Sequence, residues 1–267
     1  MNLSHSPDIL YVVRITLIGG ATALLEVGGL RLLTDPTFDP AGSELTTGPV
    51  TLRKTMGPAV QSANIEPIDA VLLSHDQHFD NLDHSGREFL ASAGRVFTTP
   101  SGAERLGGNA IGLQPWESAD IASKAGTLLI TGTPARHGPP GIEPVTGDVT
   151  GFVVEWVNDP SQSVYVTGDT VWYEGVAEVA KRFLVKAIVL FGGAAQVKAR
   201  GPALLTMNRE DALAAAEAFP QALIFPVHHT GWEHFSESQQ TLIDAFAEAG
   251  LSHRLRPLEP GVAVEMG

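Results

Sequence analysis

A series of short apolar runs, each too brief for a helix, constrains this chain more than any other feature. Residues 12–18, 23–27, 31–34 and 70–73 open the series, and residues 96–98, 128–131, 152–157, 164–166, 187–190 and 222–225 continue it. Short apolar runs bounded by turn residues read as buried strands. Gly19-Gly20 and Gly28-Gly29 interrupt the first three as hairpin turns do, and Asp35-Pro36 ends the third. No run approaches the roughly 18 continuous apolar residues of a membrane-spanning helix. Residues 40–66 show little periodicity and are expected to form a long loop over a functional site.

Helical patterns fill the spaces between the later runs. Asp83 is placed to cap a helix reaching about residue 93, with Gly94 beyond its end. Residues 174–183 form a second helical pattern, and Asn208 caps a third, NREDALAAAEAF. Ser236 and Gln239 have capping-box spacing ahead of the apolar positions Leu242, Ile243 and Phe246, and Gly250 closes that helix. No repeat or long linker divides residues 1–267, which read as one domain. Two sheets covered by helices accommodate the pattern, and so does one mixed sheet.

Several runs end in side chains that can hold a metal ion. His75 follows AVLLS, His137 follows LLITGTPAR, Asp169 follows VYVTG, and His228 and His229 follow ALIFPV. Loops at strand ends converge in space, so four such ends and a clustered HDQHFD point to a metal centre. The chain has no cysteine, so any transition-metal ligands must be His, Asp or Glu. Imidazole and carboxylate donors suit Zn²⁺, Mn²⁺ or iron. A carboxylate such as Asp169 could bridge two ions about 3.5–4 Å apart.

In this order the segments resemble the metallo-β-lactamase-fold hydrolases, in the branch of ascorbate-6-phosphate lactonase-like and N-acylphosphatidylethanolamine phospholipase D-like proteins. ITLIGGATALLEVGGLRLLTDPTF (15–38) is similar to the opening strands, LLSHDQHFDNLD (72–83) to the His-x-His-x-Asp-His motif, TPARHG to the segment carrying the next ligand, VTGDT to the bridging aspartate, and PVHHTGW to the last ligand. The resemblance implies an α/β fold, a four-layer αβ/βα sandwich with metal at one edge between the sheets. It implies His75, His78, Asp80, His137, Asp169 and His228 as ligands to one or two divalent ions, Zn or Mn, with Asp80 also orienting the water. His228 matches the last ligand better than His229.

This chain departs from the motif in three places. Two residues, Asp76 and Gln77, separate His75 from His78 where one is usual, so Gln77 falls at a histidine position in one alignment. Asn81 stands at the last histidine, where it can coordinate weakly or hydrogen-bond a ligand. Gly20 replaces the histidine of a common Gly-His pair. Asp35 is a candidate to hydrogen-bond a histidine ligand. His234 and Arg136 could contact substrate, and Trp172, Tyr173 and Trp232 could line the pocket; His5, His84 and His253 are expected to lie apart from catalysis.

The implied activity is hydrolysis of an ester, lactone or phosphoester bond of a small metabolite by a metal-activated water. Gln77 and Asn81 raise the alternative of a catalytically degenerate member with a metal-binding or structural role. With a net charge of −13 and 17 scattered Lys and Arg, no basic stripe for nucleic acid is present. No basic amphipathic segment suits a membrane surface, and no signal-like N-terminus is visible, so a cytoplasmic setting is expected. Association into a homo-oligomer is left open.

Overall fold

The computed structural model describes residues 13–266. β1 (Val13–Gly19), β2 (Thr22–Val27) and β3 (Leu30–Thr34) form an antiparallel meander. Gly28 and Gly29 join β2 to β3 at φ of 54° and 82°, a backbone that a tight two-residue hairpin demands and a β-carbon penalises. The strand expected from residue 12 is described from Val13 onward; Val12 and His5 lie outside the described residues.

Residues 40–66 are not the expected loop throughout. β4 (Glu44–Thr47) and β5 (Val50–Arg53) pair as a separate hairpin. Neither strand has a fully buried face, so the alternation that betrays a half-buried strand is missing from ELTTGPVTLR. β6 (Ala70–Leu72) follows, then α1 (His84–Phe89), capped by the Asp83 carboxylate, which accepts from Gly86 N at 2.8 Å. The helix stops at Phe89, short of the expected end, and turns lead into β7 (Arg95–Thr98). α2 (Pro100–Leu106), capped by Thr99, and β8 (Ala110–Gly112) complete this half.

The second half runs through β9 (Ser118–Ser123), β10 (Gly126–Pro134), the short α3 (Glu143–Thr146), β11 (Thr150–Trp156), β12 (Asp159–Val166), α4 (Glu174–Arg182) and β13 (Val185–Phe191). It continues with α5 (Arg209–Ala218), β14 (Leu223–Val227), α6 (Gln239–Glu248) and β15 (Ala263–Glu265). Asn208 caps α5 through Asp211 N, as expected. The cap of α6 is Ser238 with Thr241, not Ser236 with Gln239, because the Ser236 hydroxyl donates to Ala194 O at 2.6 Å instead.

Two sheets result, in the orders β15-β1-β2-β3-β6-β7-β8 and β14-β13-β12-β11-β10-β9. Alternation along the strands builds three cores. Ile15, Leu25, Leu32 and Leu72 of the first sheet meet Ile130, Phe152, Val189 and Phe225 of the second. Leu24, Leu33 and Val71 face outward onto Phe89 and Leu90, at the end of α1. Ile188 and Leu190 face outward onto Val176, Ala212 and Phe246 of α4, α5 and α6. Helices thus cover both outer faces, giving the four-layer αβ/βα sandwich. Among the described residues no helix is long and apolar enough to cross a membrane.

Candidate metal centre

Four strands deliver the metal-competent side chains to one edge of the sandwich. β10, β12 and β14 run in the same direction in the second sheet, and His137, Asp169 and His228 lie just past their C-terminal ends. β6 of the first sheet delivers His75, and the turn after it brings His78 and Asp80 alongside. His75 Nε2 lies 2.9 Å and His137 Nε2 3.0 Å from His78 Nδ1. Asp169 Oδ2 is 3.5 Å from His137 Nε2, and its Oδ1 is 3.2 Å from His228 Nδ1. Asp80 Oδ2 is 3.2 Å from His228 Nε2. These donors form two groups that could each hold an ion: His75, His78 and His137, then Asp80, Asp169 and His228.

The electrostatics fit a cation. Burial drives the imidazoles toward the neutral form that binds metal: His75 is pushed well below its usual value, His78 and His228 lower, and His137 down to about 3. Burial opposes ionisation of Asp80 also, but His234 and His228 beside it prevail and hold the carboxyl well below its ordinary range. Asp169 goes the other way, raised by burial and then by the nearby Asp80 and Asp35 carboxylates. Both oxygens of Asp169 and both ring nitrogens of His228 are buried without a hydrogen-bond partner. A buried carboxylate left this way is costly unless a cation joins it.

His228 itself has φ of +58°, a left-handed backbone costing about 1–3 kcal/mol in a non-glycine residue. Its N–H donates to Gly20 O at 2.8 Å, which fixes the loop in that strained form.

Residues 30–229 match the family described as the Beta-lactamase superfamily domain. The chain belongs to the beta-lactamase superfamily. It is 28% identical over 258 residues to the UPF0173 protein YddR of Bacillus subtilis, covering 93% of this chain and 98% of that one. In fold it is similar to an isothiocyanate hydrolase from Delia radicum gut bacteria, with a TM-score of 0.80, 24% identity and coverage of 94% and 98%. A possible metal-dependent hydrolase from Veillonella parvula gives a TM-score of 0.81 at 19% identity, with coverage of 95% and 99%.

The places where this superfamily member departs from the common motif now have structural accounts. Gln77 is not in the cluster: its side chain is exposed and its amide packs over the α-carbon of Gly147. The extra residue lets His78 swing into the histidine group instead. Asn81 donates from Nδ2 to Asp35 Oδ2 at 3.0 Å. Asp35 also accepts from Ser74 N at 2.6 Å and Ser74 Oγ at 2.7 Å, and Ser74 Oγ lies 2.9 Å from His75 Nδ1. Burial raises the Asp35 carboxyl to about 7. The His137 ring is fixed from behind by Leu205 O, 2.8 Å from Nδ1. His229 is turned away from both groups, with Nε2 3.2 Å from Pro226 O. At Gly20 a β-carbon would meet Trp232 Nε1 at 2.9 Å, so the indole packs where a side chain at this position would begin.

Sequence reasoning undervalued His234, whose Nε2 lies 3.0 Å from Asp80 Oδ2. Its position in GWEHF carries no strand-end signal, since 154 residues separate it from its partner. His78, Asp80, His137 and His234 line a cavity of about 310 Å³ walled also by Leu45 and Leu52 of the hairpin and by Ile142 and Leu205. Trp172 and Tyr173 pack against the outer core beneath α4 to α6 and do not line this cavity. Arg136 stacks on Tyr173, 4.4 Å from the ring centroid.

Proposed function

We propose that this chain is a metal-dependent hydrolase acting on an ester or lactone of a small, largely apolar metabolite. What carries the reading is the convergence of His75, His78, His137, Asp80, Asp169 and His228, with both Asp169 oxygens buried and lacking a hydrogen bond. His75, His78 and His137 would hold one divalent ion, Asp80 and His228 would face a second, and Asp169 would lie between the two. Zn and Mn both suit such donors. A divalent ion bound there makes a water nucleophilic near neutral pH and polarises the bond under attack.

The chain's own residues supply the rest. Asp80, kept ionised at the cavity wall, would hold the ion and orient the water through its carboxylate. The Ser74 hydroxyl behind His75 and the Leu205 carbonyl behind His137 fix those rings, leaving Nε2 of each directed at the site. The hairpin side chains exclude solvent and bind the apolar body of the substrate. Among the described residues lining the cavity only Arg200 carries a positive charge, so apart from the ions themselves little is built to hold the added negative charge of a phosphoester, which favours an ester or lactone.

A metal-supplemented screen of lactones, esters, thioesters and phosphodiesters tests this. Turnover of an apolar ester or lactone, abolished together with metal uptake in Asp169→Ala, is expected. Full activity in that variant would refute the assignment. Metal content well under one ion per chain in wild type would favour the catalytically degenerate alternative.

A further inference from the structure

His234 lines the cavity beside Asp80, and its surroundings are those of a ligand. We propose that His234 is a direct ligand of the second cation, acting with Asp80 and His228 in place of the imidazole that Asn81 lacks. The inference rests on the metal-dependent reading above.

Three observations carry it. Asn81 turns its amide nitrogen to Asp35 and retains only a neutral carbonyl oxygen, a weaker donor than imidazole for Zn-like ions. A single oxygen, Asp80 Oδ2, lies 3.0 Å from His234 Nε2 and 3.2 Å from His228 Nε2. Donors about 2.1 Å from one tetrahedral ion stand roughly 3.4 Å apart, so these spacings are close to those of a shared coordination shell. Finally, His234 Nδ1 is buried without a hydrogen-bond partner, so beyond its packing on Phe235, 4.6 Å between ring centroids, no second hydrogen bond fixes the ring.

The backbone delivers the ring there. Gln196 N donates to His234 O at 2.9 Å, and Glu233 N donates to Arg53 O at 3.1 Å. The first of these bonds belongs to an isolated β-bridge between Ala195 and Phe235, on the side away from Arg53. The segment is therefore clamped on both flanks while the ring reaches into the cavity.

Zinc titration of chelator-stripped protein, followed by calorimetry, tests the proposal. Wild type, His234→Gln, His234→Asp and the exposed control His253→Ala are compared, with far-UV circular dichroism confirming that each is folded. Two zinc ions are expected for wild type and His253→Ala. In His234→Gln the first ion is expected to be retained and the second weakened by more than about 100-fold, beyond the roughly 10–100-fold that losing an outer partner costs. His234→Asp restores a donor and is expected to recover part of that loss; the visible spectrum of the Co²⁺ form should change only in the second equivalent. Two ions bound with unchanged affinity in His234→Gln, or a single ion in wild type and variant alike, overturns the proposal and leaves the hydrolase reading standing. No ion in wild type overturns both.

Discussion

At the scale of single residues, the site edge is held by groups buried at a cost. Lys54 Nζ lies 2.8 Å from Asp83 Oδ2, with both side chains almost wholly buried. The same carboxylate accepts from Phe38 N, Asp39 N and Gly86 N, so it ties the segment after β3 to the start of α1. Lys54→Met should strip Asp83 of its countercharge and destabilise the fold by about 3–5 kcal/mol, read as a lowered urea midpoint with unchanged slope. Gly20 has φ of +55° with Trp232 against it. Gly20→Ala should cost more than the roughly 1–2 kcal/mol of a left-handed L-residue, because the indole must also move. His84→Ala should match wild type in activity and metal content. The His84 side chain is 70% exposed, and its neighbour Asp39 keeps its bonds from Ser85 N and Oγ.

At the scale of elements, the β4–β5 hairpin forms the apolar wall of the cavity. Leu52→Asp should lower kcat/KM for apolar esters by about tenfold or more, the worth of one lost aliphatic contact, with zinc stoichiometry unchanged. This hairpin is also where sequence reading failed, and the reason is physical. Residues 185–191 bury both faces and announce themselves as an apolar run, whereas Glu44–Thr47 is exposed at every position. Its pairing is written in contacts between polar side chains, such as Thr46 with Thr51 and Arg53 with Glu44. Helix α1 was legible at its cap and not at its end. The gathering of His75, His137, Asp169 and His228 at one edge was legible because each follows a buried strand. His234 was not, since only the folded chain sets it against Asp80. The turn of Gln77 away from the ligand groups could not be read either, because it depends on Gly147, whose missing β-carbon leaves room for the amide.

At the scale of the whole molecule, the candidate ligands belong to both sheets: His75 follows a strand of the first, and His137, Asp169 and His228 follow strands of the second. An ion held between them joins segments more than 150 residues apart in sequence, which the unfolded chain cannot pre-assemble. Chelation should therefore lower the melting temperature. Zinc at 100 to 1,000 times its Kd should restore about 3–4 kcal/mol, with little effect on Asp169→Ala. Differential scanning calorimetry with and without chelator makes the comparison.

The hairpin does not end at the cavity wall. Lys54 bridges to Trp232, Thr55 N donates to Gly231 O at 2.8 Å, and the Arg53 carbonyl receives Glu233 N. Whatever widens or narrows the entrance is therefore stitched to the stretch of chain immediately ahead of His234. A descendant of this protein could not change the girth of its preferred molecule without also nudging an imidazole next to Asp80, so taste and reactivity would have to evolve as one trait.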